Sequence, residues 1–117
     1  MNVIVAGSRN ITDYRIVKNV LGGLDWSIDL ILSGHANGVD KLAERWARES
    51  GIEVNKYPAY WDKYGKKAGY VRNLKMAQRA DALIAIWDGE SKGTKMMIDI
   101  ALDEKIKFIY VVIPWGW

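Results

Sequence analysis

The sequence predicts an α/β fold: a single Rossmann-like three-layer sandwich whose parallel five-stranded sheet has the order 3-2-1-4-5. Two observations lead to this prediction. Five apolar, strand-like segments alternate with four segments of helical periodicity along the 117 residues, and such alternation implies parallel strands joined by right-handed helical crossovers. Residues 81–87 (DALIAIW) also form an apolar run, which is typical of a central strand covered on both faces.

The first two strands are predicted at residues 2–6 (NVIVA) and 29–33 (DLILS), with a helix over residues 13–24 between them. Thr12 is the expected cap of this helix, because its hydroxyl can accept a free N–H of the first turn. Apolar residues recur at helical spacing on one face, which we expect to pack on the sheet. They are Ile16, Val17, Val20, Leu21 and Leu24.

The second helix is predicted to begin at residue 39 and to end before Gly51, because glycine suits the position just after a helix. Its apolar face consists of Val39, Leu42, Ala43, Trp46 and Ala47. Residues 53–57 alternate in polarity as an edge strand does, and helices are predicted over 68–80 and 92–104. The last strand is predicted at 107–113. Residues 58–67 (PAYWDKYGKK) are predicted to be irregular, either a lid over a ligand or an ordinary surface loop.

Composition excludes several classes of protein. Half of the residues are hydrophobic and 26% are charged, as in soluble globular domains. No apolar run approaches the roughly 20 residues of a membrane span, and the N-terminal segment does not resemble a signal peptide. The chain has no cysteine and one histidine, so we expect no metal site and a cytoplasmic location. The net charge of +3 suits an anionic ligand.

Three loops rich in glycine and serine follow the first, second and fourth strands, at residues 7–10 (GSRN), 33–38 (SGHANG) and 87–94 (WDGESKGT). The carboxyl ends of parallel strands lie along one edge of a sheet, and ligands bind there where the strand order switches. Free N–H groups and helix dipoles make each loop a candidate anion cradle, to which Arg9 and Lys92 add positive charge. The sequence therefore predicts a phosphate-bearing ligand at this edge.

The second loop differs from an ordinary dinucleotide-binding turn. Gly34 and Gly38 are four residues apart, so the spacing is not G-x-G-x-x-G. We interpret the loop as a variant turn that holds phosphate or ribose. Two interpretations of His35 stay open, approach to the ligand or a solvated position. Two interpretations of Asp40 also stay open: its carboxylate can stabilise the helix dipole, or it can accept a hydrogen bond from a ribose hydroxyl.

These segments also resemble a known family. VIVAGSRNITDY, LSGHANGVDKLAERWA and the stretch from YPAYW to KMMI are similar to the YspA-type members of the SLOG superfamily, which includes DprA and the LOG phosphoribohydrolases. The resemblance covers residues 3 to about 112 and implies a Rossmann-like domain with a site for a nucleotide-derived ligand. The candidate ligand-binding residues from the motifs and loops are Gly7, Ser8, Arg9, Ser33, Gly34, His35, Ala36, Gly38, Asp40, Arg72, Asn73, Trp87, Asp88, Gly89, Ser91, Lys92, Gly93 and Thr94.

The sequence departs from the family pattern at two positions. His35 stands where the family usually has glycine. Met97 stands where the LOG hydrolases carry a glutamate, and methionine cannot ionise. Hydrolysis of the LOG type is therefore in doubt, although other YspA-like proteins also lack that glutamate.

The resemblance implies a ligand related to NAD or ADP-ribose, which members of the family are proposed to sense or process. Our first hypothesis is a binding module for ADP-ribose, a cyclic ADP-ribose isomer or a related NAD metabolite, acting as a sensor or sequestering protein without turnover. The alternative is an enzyme that cleaves an N-glycosidic or phosphoester bond in such a nucleotide, with Asp40, Asp88 and Glu90 as candidate acids. No second carboxylate forms an obvious pair with any of them, so no catalytic residue is assigned. Nucleic-acid binding, by analogy with DprA, is permitted by the charge but not required by it.

The expected partners follow from the same observations. We expect one phosphate-bearing small molecule, no separate cofactor and no membrane. We also expect a homodimer or larger assembly, as the resemblance suggests. Apolar residues occupy more than one stripe of the helices predicted at 68–80 and 92–104, namely Tyr70, Leu74, Met76, Met96, Met97 and Ile98.

Overall fold

The structure is a computed structural model that describes residues 1–115, so Gly116 and Trp117 of the predicted 1–117 domain lie outside the described residues. Five strands form one parallel sheet in the order β3-β2-β1-β4-β5, and helices flank it, which confirms the predicted fold class. The strands are β1 (Asn2–Gly7), β2 (Leu30–Ser33), β3 (Glu53–Lys56), β4 (Ala82–Ile86) and β5 (Phe108–Val112). The helices are α1 (Tyr14–Gly22), α2 (Val39–Ser50), α3 (Trp61–Tyr64), α4 (Ala68–Ala77) and α5 (Lys92–Asp103).

The sheet separates two hydrophobic cores because successive strand residues point to opposite faces. Val3 and Val5 of β1 pack with α1 and α2, whereas Ile4 of the same strand packs with α4 and α5. Every residue of β4 is buried, as its continuous apolar run predicted. β1 pairs with β2 on one side and with β4 on the other, so the strand order switches at β1.

Several element boundaries differ from the prediction. Asp13, not Thr12, caps α1, and its carboxylate accepts the Arg15 N–H at 3.0 Å. Residues 58–67 are not wholly irregular, since they contain α3 and a 3₁₀ turn at Gly65–Lys67. α4 ends at Ala77 instead of residue 80. The predicted end of α2 is confirmed, because Gly51 adopts the left-handed conformation after that helix.

Some of the apolar residues on which the assembly prediction rests pack inside the monomer. Met76 and Met97 are buried in the core formed with α4 and α5, so these two side chains offer nothing to a partner. Tyr70 is half exposed. The oligomeric state stays a prediction. Among residues 1–115, no helix is both long and apolar enough to cross a bilayer.

Candidate functional site

A cleft of about 400 Å³ opens at the carboxyl-terminal edge of the sheet, beside the β1–β4 pair where the strand order switches. The three predicted loops contribute to its walls, and α4 adds one further side. Most of the candidate residues line it: Gly7, Ser8, Arg9, Ala36, Asp40, Arg72, Asn73, Asp88, Ser91, Lys92, Gly93 and Thr94. The structure therefore brings together residues that lie as far apart as 87 positions in the chain.

Two glycines allow the first loop to pack closely against its neighbours, the second loop and the end of β4. Gly38 has a φ of +80°, and a Cβ on it would lie 2.4 Å from the Ser8 carbonyl oxygen. A Cβ on Gly7 would lie 2.2 Å from the Ile86 carbonyl oxygen. Such distances are far inside van der Waals contact, so any side chain would push the loops apart. These glycines shape the cleft, although Gly38 itself does not line it.

Asp88 organises the third loop. Its carboxylate accepts hydrogen bonds from the N–H groups of Glu90 (2.8 Å) and Ser91 (2.7 Å) and from the Ser91 hydroxyl (2.9 Å). These donors lower the pKa of Asp88 to about 2. The Ser8 hydroxyl ties this loop to the first one by accepting the Asp88 N–H at 2.9 Å. Asp88 is therefore an ionised structural acceptor at neutral pH, not a proton donor.

The first turn of α5 lines the cleft with Lys92, Gly93 and Thr94. The N–H groups at the start of a helix have no partner within the helix, and the helix dipole makes that end positive. Lys92 and Arg9 are exposed at the cleft, and Arg72 lies deeper in it. The cleft thus combines three cationic side chains with a positive helix end, which suits an anionic ligand.

Asp40 lies at the base of the cleft and is almost fully buried. Its carboxylate accepts the Ala36 N–H at 3.2 Å and lies near Arg72, whose Nη1 donates to the Gly34 carbonyl at 2.7 Å. Burial outweighs these favourable contacts and raises the pKa of Asp40 to about 6. A Cβ on Gly34 would lie 2.7 Å from Arg72 Nη1 and 2.9 Å from Asp40 Oδ2, so the ends of these two side chains would have to shift.

This raised pKa predicts a specific pH dependence of stability. The folded state binds the Asp40 proton more tightly than the unfolded state does, so stability is lost as the pH rises from about 4 to about 6. At about 1.4 kcal/mol per pKa unit, we expect the wild type to lose about 3 kcal/mol relative to Asp40→Asn across this range. Urea denaturation at several pH values measures the difference. Asp25→Asn, at an exposed position, is the control, and parallel curves for wild type and Asp40→Asn contradict the prediction.

His35 does not line the main cleft but a second, smaller compartment of about 160 Å³ next to it. It has a φ of +59°, a left-handed conformation that favours glycine. Its Nδ1 lies 2.9 Å from Oε2 of the buried Glu44, which also accepts the Ser33 hydroxyl at 2.7 Å. His35 is thus neither at the main cleft nor freely solvated, but is held by a carboxylate.

The remaining candidates lie around the cleft. Ser33 is buried under Glu44, the Trp87 indole donates to the Ser91 carbonyl at 3.0 Å, and Gly89 forms a turn with a φ of +83°. Five residues that the sequence analysis did not propose as ligand contacts also line the cleft, namely Ala6, Asn10, Met76, Met96 and Met97. Helical spacing was a usable signal for Met76, which lies four residues after Arg72 on α4. Glu44 likewise lies four residues after Asp40.

Within residues 1–115, no group of three or more His, Asp, Glu or Cys side chains could hold a metal ion.

Comparisons with known proteins agree with the family resemblance of the sequence and with the observed fold. The model of the family described as YAcAr, the YspA, cpYpsA-related SLOG family, matches residues 1–64. The "Gene 61 protein" of Mycobacterium phage D29 is 39% identical over 72 residues, which cover 56% of this chain and 58% of that protein. The X-ray structure of DNA processing protein A (DprA) from Streptococcus pneumoniae has a TM-score of 0.76 at 20% identity. That match covers 94% of this chain and 49% of the DprA chain, and it shows a shared fold.

Proposed function

The chain belongs to the YAcAr family, the YspA, cpYpsA-related SLOG family, and from this premise we propose that it binds a nucleotide-derived ligand without turning it over. The observation that carries the proposal is the cleft at the strand-order switch, where Arg9, Arg72 and Lys92 line the same space as the first turn of α5. Phosphate is the group that cations and free helix N–H groups bind best together. The proposed ligands are ADP-ribose, a cyclic ADP-ribose isomer or a related NAD metabolite.

The arrangement of acids supports binding without turnover. Asp88 is held by three hydrogen bonds and stays ionised, and Glu90 is exposed and does not line the cleft. Met97 lines the cleft and is buried, and its thioether cannot transfer a proton. Asp40 is the one candidate acid that lines the cleft and has a raised pKa. General acid–base catalysis of glycoside hydrolysis ordinarily uses a pair of carboxyl groups.

The second candidate function is hydrolysis of an N-glycosidic bond in the same ligand. One observation favours it: the pKa of Asp40, about 6, is close to the range that suits a general acid or base. In that case Asp40→Asn would abolish turnover. We place nucleic-acid binding behind both, because the three cations that carry the proposal line one concave cleft, whereas nucleic-acid binding ordinarily uses basic residues clustered along one face.

The proposal predicts that a bound nucleotide persists. ADP-ribose incubated with excess protein and released by heat denaturation should return chemically intact, because a missing acid–base pair costs about 10²–10⁴-fold in rate for each group. The protein should also protect the ligand from an added hydrolase by enclosing it. Chromatography of the released ligand is the measurement. Free base or ribose phosphate that accumulates over many turnovers, and that disappears with Asp40→Asn, would establish the enzymatic alternative instead.

We also propose a homodimer or larger assembly through the exposed parts of α4 and α5. Tyr70 and Leu102 are half exposed or more, on α4 and α5 respectively. Light scattering at micromolar concentration should give a mass above the 13.3 kDa of one chain, and a mass of 13.3 kDa alone argues against the assembly.

The expectation of a cytoplasmic protein rests on composition and stays a prediction.

A further inference from the structure

We propose that the second compartment, lined by His35, Pro58, Trp61 and the two arginines Arg9 and Arg72, binds the aromatic base of the nucleotide whose phosphate occupies the main cleft. This inference rests on the proposed function and adds a subsite to it. The two spaces share Arg9, Ala36 and Arg72 in their walls. The two spaces therefore lie side by side, as a ligand that occupies both requires.

The volumes of the two spaces suit a base in the second compartment and phosphate with ribose in the main cleft. The second compartment has about 160 Å³, close to the roughly 150 Å³ of a protein cavity that holds one benzene ring. It can take one planar ring system but not a whole nucleotide. The main cleft has about 400 Å³ and carries the Lys92 side chain and the α5 helix end, which suit phosphate and ribose.

Trp61 is the side chain that favours an aromatic occupant. It is 56% exposed, although exposing a large indole to water is unfavourable. Its ring lies beside Gly69 of α4, where a Cβ would be 3.8 Å from Trp61 Cη2. An indole at the wall of a ligand space offers a flat surface on which any base can stack, because every base has a π-face.

The hydrogen bond to Glu44 holds the His35 ring, whose other nitrogen we assign to the edge of that base. The carboxylate accepts hydrogen bonds only, so this contact favours the tautomer in which Nδ1 carries the hydrogen and Nε2 is an acceptor. Nε2 makes no hydrogen bond to another of the described residues. Because His35 lines the second compartment, we assign its Nε2 to an N–H donor on the base edge, with Glu44 as the positioning residue.

Two probes that differ only in the base test the assignment: adenosine 5′-monophosphate and ribose 5-phosphate, each titrated by calorimetry. The wild type should bind the nucleotide at least about tenfold more tightly than the sugar phosphate. Trp61→Ala should weaken the nucleotide about tenfold and leave the sugar phosphate unchanged, since loss of one base stack typically has an effect of this order. His35→Gly should also weaken binding of the nucleotide and leave binding of the sugar phosphate unchanged. Glycine tolerates the φ of +59° at this position.

Trp115→Ala is the matched control, because Trp115 is 55% exposed and lines neither space. It should change neither affinity. The assignment is overturned if Trp61→Ala changes neither probe or weakens both equally. It is also overturned, with the proposed function intact, if wild type binds ADP-ribose but does not prefer the nucleotide over the sugar phosphate. If the wild type binds none of the three compounds, the proposed function fails and the subsite fails with it.

Discussion

Replacing Gly93 by aspartate is expected to weaken ADP-ribose binding at least about 100-fold while the fold stays intact. Gly93 lies in the first turn of α5 and lines the main cleft, and no atom lies within 4 Å of the position of an added Cβ. The new carboxylate would stand where the proposed phosphate binds. Two like charges 4 Å apart repel by about 4 kcal/mol at the effective dielectric constant near a protein surface. Aspartate in a first helical turn is otherwise favourable, so folding should not suffer.

Two further variants separate charge from size and position. Gly93→Ala adds a Cβ without charge and should weaken binding far less than Gly93→Asp. Gly22→Asp adds the same carboxylate at the end of α1, where an added Cβ also meets no atom within 4 Å, and Gly22 does not line the cleft. It should bind like the wild type. Calorimetry gives the affinities and circular dichroism the fold, and unchanged binding by a folded Gly93→Asp protein would contradict a phosphate site here.

Gly38→Ala is expected to destabilise the protein by about 3 kcal/mol or more. A left-handed φ costs an L-residue roughly 1–2 kcal/mol, and forcing extra atoms into a packed site costs about as much again. At Gly38 the added Cβ would lie 2.4 Å from the Ser8 carbonyl oxygen and 2.7 Å from Arg9 Cα, and neither backbone atom can move without displacing the first loop. The displacement should also weaken ligand binding. Urea denaturation measures the free energy of unfolding.

Gly51→Ala measures the cost of an ordinary left-handed conformation without crowding. Gly51 combines a φ of +72° with a ψ of 25°, whereas Gly38 combines a φ of +80° with a ψ of −131°, near the region that is essentially restricted to glycine. An added Cβ on Gly51 meets no atom of another segment within 4 Å. We therefore expect a loss of about 1 kcal/mol for Gly51→Ala. Similar losses for the two variants would contradict the prediction, because neither the close approach of the loops nor the unusual ψ of Gly38 would then add to the cost.

The sequence by itself determined the architecture and the edge of the sheet where the candidate site lies. Hydrophobic periodicity distinguishes strands from helices because the two elements repeat at about 2 and 3.6 residues, and this information is local. The apolar run of β4 indicated a strand buried on both faces. Strict alternation of strands and helices then implied a parallel sheet, whose geometry places the ends of β1, β2 and β4 along one edge.

Only the tertiary structure decided what the individual residues at that edge do. Asp40 and Asp88 are the same residue type in similar glycine-containing segments, yet burial raises the pKa of one and three donors lower that of the other. The partners of His35, Glu44 and Trp61 were likewise undetermined, since these residues come from a loop, α2 and α3. Hydrogen-bond distances and solvent exposure depend on how separate elements pack. A pattern that repeats every two to four residues carries no information about contacts between residues that are distant in the chain.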